Sequence, residues 1–215
     1  AVKDKSVLGD NVLIFSPKDD VSDIQKKVDE IYNIQETNQF GDERYAIAFM
    51  PGDYGKSLRV NVGYYTQVLG LGVLPTDTNI NKLWVDASWM NHNATCNFWR
   101  GAENLSINEY CMWANSQAVS LRRINSEDGI VLSDGEGWSS GGFMADSKFN
   151  GNVSSGSQQQ YLCRNDEWNY WEGGVWNMVF TGVRTSIIPQ GPWPYVPYTR
   201  VEKTPEIQEK PYLCY

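Results

Sequence analysis

Hydrophobic positions follow a helical rhythm early in the chain and a strand-like one after it. Asn11-Val-Leu-Ile-Phe15 is a short apolar run closed by Ser16-Pro17, and it reads as a strand. Val21, Ile24, Val28, Ile31 and Tyr32 then recur at intervals of three and four, with Asp20 or Ser22 placed to cap the start, which predicts one amphipathic helix. Tyr45-Ala-Ile-Ala-Phe-Met50 is a buried strand ended by Pro51-Gly52-Asp53, and no second helical stripe follows it. Short strand-like runs return instead, at 58–62, 68–73, 83–87, 105–107, 119–124, 129–132, 143–149, 161–164 and 176–181. Taking one run per turn, the spacing is about 15 to 25 residues, the period of stacked solenoid coils.

No helices intervene between these runs to build βαβ units, so parallel coils are the expected arrangement, with a β-sandwich as the alternative. The fold class is therefore all-β: a right-handed parallel β-helix, or solenoid, whose N-terminal helix caps the hydrogen-bonding end of the first coil. Residues 1–40 form the N-terminal strand and capping helix, and residues 41–186 the coils. From residue 187 the texture changes to Pro189, Pro192, Pro194, Pro197, Pro205 and Pro211 interleaved with Trp193, Tyr195, Tyr198 and Tyr212. Residues 187–215 are thus an extended segment, too aromatic for a free linker, expected to lie along the outside of the solenoid and lead towards a further domain.

Composition narrows the chemistry. The chain has 215 residues, enough for one good core, and nine Trp, twelve Tyr and nineteen Gly suit strands, turns and aromatic surface. Its net charge of -8 is spread along the chain, which disfavours nucleic acid and favours a neutral partner. No stretch approaches the length of a membrane span, and no leader pattern opens the chain at Ala1, so it reads as mature and soluble. Cys96, Cys111, Cys163 and Cys214 lack CxxC spacing, and with a single histidine the simplest expectation is disulfides. Of the three pairings, Cys96 with Cys111 is favoured, leaving Cys163 with Cys214. Asn93, Asn104 and Asn152 each open a glycosylation triplet, Asn93 being the best candidate because Asn104 lies in a predicted strand. Together these point to a secreted, extracellular protein with no metal and no cofactor.

Several strings carry a resemblance. They are Asn38-Gln-Phe-Gly41 with Glu43-Arg-Tyr-Ala46, Tyr64-Tyr-Thr-Gln-Val-Leu-Gly-Leu-Gly72, Asn97-Phe-Trp-Arg-Gly-Ala-Glu-Asn-Leu-Ser106, Gly137-Trp-Ser-Ser-Gly-Gly142, Ala145-Asp-Ser147, Ser157-Gln-Gln-Gln160, Val175-Trp-Asn-Met-Val-Phe180 and Glu209-Lys-Pro211. From about residue 11 to the last, the chain resembles the first of two β-helices in bacterial-type exo-β-1,3-glucanases, or laminarinases, of glycoside hydrolase family 55. The resemblance implies inverting hydrolysis of β-1,3-glucan in a cleft between two β-helices, with a glutamate of the second as general acid. It also implies that this β-helix supplies the water side of the cleft. Gln158 is the first choice for positioning that water and Gln160 the next, with Thr181 where the family pattern more often has Ser.

Other candidates stand on their own chemistry. Trp138, Trp168, Tyr170, Trp171 and Trp176 offer faces for pyranose rings, and Trp138 and Trp171 look the more exposed. Ser157 and Asp146 join them as substrate-binding candidates, since a charge within a strand must be solvated or paired. Asp134, Glu136, Asp166, Glu167 and Glu172 read as solvent-facing turn residues, Arg100 and Arg164 as partners of buried acids, and His92 as a surface turn residue. Two readings survive. Either the chain is the first half of an exo-β-1,3-glucanase that needs a second β-helix domain or chain, or it is a non-catalytic solenoid that binds glycans or self-associates end to end into a fibre.

Overall fold

A computed structural model describes residues 5–215, and it is a parallel β-solenoid of about seven turns. A long sheet runs through Val12–Phe15, Tyr45–Phe49, Thr66–Gly70, Arg100–Ile107, Val119–Ser126, Phe143–Ala145, Gln160–Arg164, Asn177–Thr181 and Tyr198–Val201, each strand parallel to the next. A shorter sheet faces it, built from Arg59–Asn61, Lys82–Val85, Cys111–Trp113, Ile130–Val131, Val153–Ser154 and Trp171–Glu172. The chain crosses from one sheet to the other and back, so neighbours in a sheet belong to successive coils.

Register fixes what each strand buries. Ile47, Val68, Ala102, Leu121, Met144, Cys163 and Phe180 stand opposite one another from coil to coil, and all are buried. With a side-chain period of two, their sequence neighbours must face out. One corner of the coil recurs in the same register, occupied by Asn104, Arg123, Asp146, Asn165 and Gly182, each at positive φ. Asn, Asp and Gly tolerate the left-handed conformation best, which is why short polar residues fill most of this sharp bend.

The helix Val21–Gln35 closes the first coil as expected. Asp20 caps it, accepting from the backbone N–H groups of Ser22 and Asp23, while Ile24, Val28 and Ile31 face the core. Two of its glutamines substitute for a missing strand. Gln25 donates to Arg59 O at 2.8 Å and accepts from Arg59 N at 3.0 Å, so a side-chain amide satisfies the edge of the shorter sheet. Gln35 donates to Glu43 O and Tyr64 O. An uncovered sheet edge would otherwise template association.

The proline-rich segment adds the strand Tyr198–Val201 to the long sheet. Beyond it the chain turns back across the coils as a strap. Thr204 bonds Asn165, Glu209 reaches Arg122 and Arg164, Lys210 meets Glu103 at 2.8 Å, Tyr212 bonds Val73 O and Tyr215 N donates to Leu71 O. Arg123 lies over the Tyr212 ring at 4.1 Å.

Three expectations change at this level. The cysteine pairings are not formed: Cys96, Cys111, Cys163 and Cys214 are all free thiols. Cys111 and Cys163 are inward core residues on opposite sheets, and burial pushes both thiols to higher pKa, as for small apolar side chains. Asn104 cannot carry a glycan, because its buried amide donates to Gly70 O and Gly72 O at the coil corner. Asn152 is exposed, whereas the half-buried Asn93 accepts from Thr95 N and Thr95 Oγ1. Trp171 is fully buried, packed with Trp168 at 5.1 Å and Phe180 at 5.0 Å between ring centroids, so it has no face for a sugar.

Candidate functional site

The outward positions of the long sheet form a continuous mixed polar and apolar face. Gln67, Gly101, Ser120, Phe143, Leu162 and Val179 are aligned by register across six strands. Gly101 leaves room for the Gln67 amide, since a Cβ there would fall 2.5 Å from Gln67 Oε1 and push that side chain aside. Two residues further towards the strand starts, and so on the same face, Gln160 stands opposite Asn177. Apart from Gly101, these residues, with Gln117 and Arg100, line an open groove of about 560 Å³. A second hollow of about 520 Å³ shares Gln67 and Ala118 with it and continues past Tyr45, Tyr65 and Trp99.

The groove is amide-rich and holds no carboxylate among its lining residues. Gln160 is exposed and its side chain makes no hydrogen bond to the described residues, which leaves its amide oxygen and nitrogen available. Asn177 is oriented by Thr199, whose hydroxyl donates to Asn177 Oδ1 at 2.9 Å. Gln117 accepts from Ser140 Oγ at 3.3 Å. Arg100 lies beneath rather than in this row. It donates to Phe98 O and Val62 O and stacks over Tyr64, and burial draws its pKa down to about 10. It has no acid partner there, contrary to the sequence expectation.

Gln158 is elsewhere. Its side chain is fully buried, with Oε1 accepting from Gly141 N at 2.7 Å and Nε2 donating to Asn115 O at 2.9 Å and Leu132 O at 2.8 Å. Every amide group is occupied by backbone from neighbouring coils, so Gln158 cannot hold a reacting water. Thr181 also fails to join Gln160. The register puts Gln160 beside Asn177 and Arg164 beside Thr181, four residues on, a separation of about 13 Å along the strands. Thr181 instead bonds Thr204 in the strap.

The remaining candidates scatter. Asp146 sits at the left-handed corner, where burial and the nearby Glu209 raise its carboxyl pKa against the pull of Arg164 and Arg123. Ser157 is half-buried and donates to Gly137 O. Trp138 is 57% exposed, but on the loop that leads into the long sheet, outside the groove. Asp166 is buried, accepting from Ser147 N at 2.8 Å, and burial raises its pKa well above the carboxylate range. Arg164 pairs with the partly exposed Glu209, not with a buried acid. Sequence reasoning missed Gln67, Gln117 and Asn177. Strand alternation anchored on Val68 and Met178 would have turned Gln67 and Asn177 outward.

No protein-family profile matches the chain. It is 48% identical over 211 residues to an exo-β-1,3-glucanase of Streptomyces sp. SirexAA-E, an alignment that takes in 96% of this chain and 34% of that protein. The solved structure of sacteLam55A from the same organism superposes with a TM-score of 0.91 at 46% identity, over 97% of this chain and 38% of the other. A variant of that enzyme in complex with glucose superposes equally well, at 47% identity. The chain spans about a third of the length of the relative it matches. Likeness of sequence and fold over nearly every residue here makes this chain a parallel β-helix similar to about one third of that exo-β-1,3-glucanase.

Proposed function

We propose that this chain forms the sugar-holding and water-holding wall of a site that hydrolyses β-1,3-glucan with inversion, the proton-donating acid coming from outside the chain. One observation carries the reading: the groove presents the unpaired amide of Gln160 beside Asn177, with Phe143, Leu162 and Val179 as an apolar floor and no carboxyl group. Inversion needs an acid on the leaving oxygen and a water on the opposite face of the sugar. A neutral amide fits the second task, accepting one hydrogen bond from water through Oε1 while Nε2 meets a sugar hydroxyl. The similarity to an exo-β-1,3-glucanase supports the substrate class, and its greater length leaves room for an acid-bearing domain. A polymer of this size would be met outside the cell, which is the setting the reading implies.

Binding of laminaritriose tests the groove directly. In titration calorimetry, Gln160→Ala weakens binding about tenfold with an unchanged melting temperature, the effect of losing one to two hydrogen bonds to sugar. Equal affinity of parent and variant would remove Gln160 from the site.

A further inference from the structure

A separate hollow lies on the flank of the coils. It has a volume of about 730 Å³, is lined by residues 90–93 and 134–138, and shares no residue with the groove on the long sheet. Its frame is fixed from several sides. Ala94 N donates to Trp138 O at 2.7 Å, Ser157 Oγ donates to Gly137 O, and a Cβ at Gly137 would collide with His92 O. Asn91 and His92 are consecutive non-glycine residues at positive φ, 52° and 67°. Such backbone is costly for His and persists where the surroundings enforce it.

The polar groups are oriented as well as placed. Buried Asp134 accepts from Ala87 N at 2.8 Å and lies 3.0 Å from His92 Nδ1. That contact turns Nδ1 towards Asp134 and leaves Nε2 without a partner among the described residues. Trp138 is 57% exposed and has no ring partner among the described residues, in contrast to Trp168 and Trp171. Exposed Glu136 completes the rim. An unpartnered indole face beside an oriented imidazole and a carboxylate suits a pyranose, whose C–H face stacks on the ring while equatorial hydroxyls meet the polar edge. Asp134 and Glu136 disfavour an anionic ligand.

We propose that this hollow is a second glucan-binding site, in which a pyranose ring stacks on Trp138 while His92 Nε2 and Glu136 bond its hydroxyls. It would hold a polymer at a distance from the groove. The sugar class rests on the function proposed above; the site itself rests on its own geometry. Gel electrophoresis through laminarin tests it with the parent, Trp138→Ala, Trp138→Phe, Gln160→Ala and the Trp138→Ala/Gln160→Ala double variant.

Removing Trp138 weakens retardation about tenfold in both backgrounds, and Phe restores part of it, since a smaller ring still stacks. Retardation of Trp138→Ala equal to the parent overturns the second site while leaving the groove intact, provided laminaritriose still binds there. If the parent is neither retarded by laminarin nor able to bind laminaritriose, both the site and the proposed function fail. Retardation lost wholly in Gln160→Ala, with no further change in the double variant, also overturns the second site.

Discussion

Gln158→Leu lowers the unfolding free energy by about 3–5 kcal/mol, the sum expected when three buried backbone groups lose their partner at about 1–3 kcal/mol each, less the gain from apolar burial. The three groups are Gly141 N, Asn115 O and Leu132 O, on separate passages of the chain, so one amide stitches several coils together at the entry to the long sheet. Leu keeps the volume and removes the polar ends. Denaturant unfolding checks the result, and a midpoint within error of the parent would mean that the carbonyls find other partners. Gln160→Leu, two residues on and exposed, leaves stability within about 0.5 kcal/mol.

Trp171→Ala costs about 3–5 kcal/mol, the range for removing a fully buried aromatic. Its ring lies against Trp168, Phe180 and Tyr161, and its indole N–H donates to Gly173 O at 3.2 Å, so the void opens between the two sheets. The last coils depend on this cluster because Tyr198 of the final strand packs on Phe180 at 5.5 Å. Thermal unfolding should therefore show a large loss together with earlier hydrogen exchange in Asn177–Thr181 and Tyr198–Val201. Loss of stability without that local exchange would place the cluster's effect elsewhere.

The strands were legible because inward rows such as Val68, Leu121 and Phe180 need apolar residues at a period of two, and that demand marks most long-sheet strands in the sequence, though not Tyr198–Val201. The helix was legible for the same reason at its own period, and Asp20 marked its start. The site was less so. In Ser157-Gln-Gln-Gln160 the three glutamines are chemically identical, and only the coil corner decides that Gln158 turns inward while Gln160 faces out. Trp171 misled because its flanking Tyr170 and Glu172 are exposed, as alternation requires of the neighbours of a buried residue. Asp128-Gly129 and Asn150-Gly151 carry a hairpin signal, yet these glycines lie at stacked coil corners, where a Cβ at Gly129 would fall 2.5 Å from Asn152 O. The cysteines suggested disulfides by number, but Cys111 and Cys163 serve as small core residues. Thr181 and the strap show the limit of residue-by-residue reading: contacts such as Lys210 with Glu103 span about half the chain and leave no local trace.

The most direct test of a wall without its own acid is glucose release from laminarin by this chain alone and by the same chain joined to the remaining two thirds of the Streptomyces relative. The account predicts no release by the lone chain, release with inverted configuration by the joined protein, and a loss of about a hundredfold in kcat when the joined protein carries Gln160→Ala. Glucose release by the lone chain, or full activity of the joined Gln160→Ala protein, would contradict it.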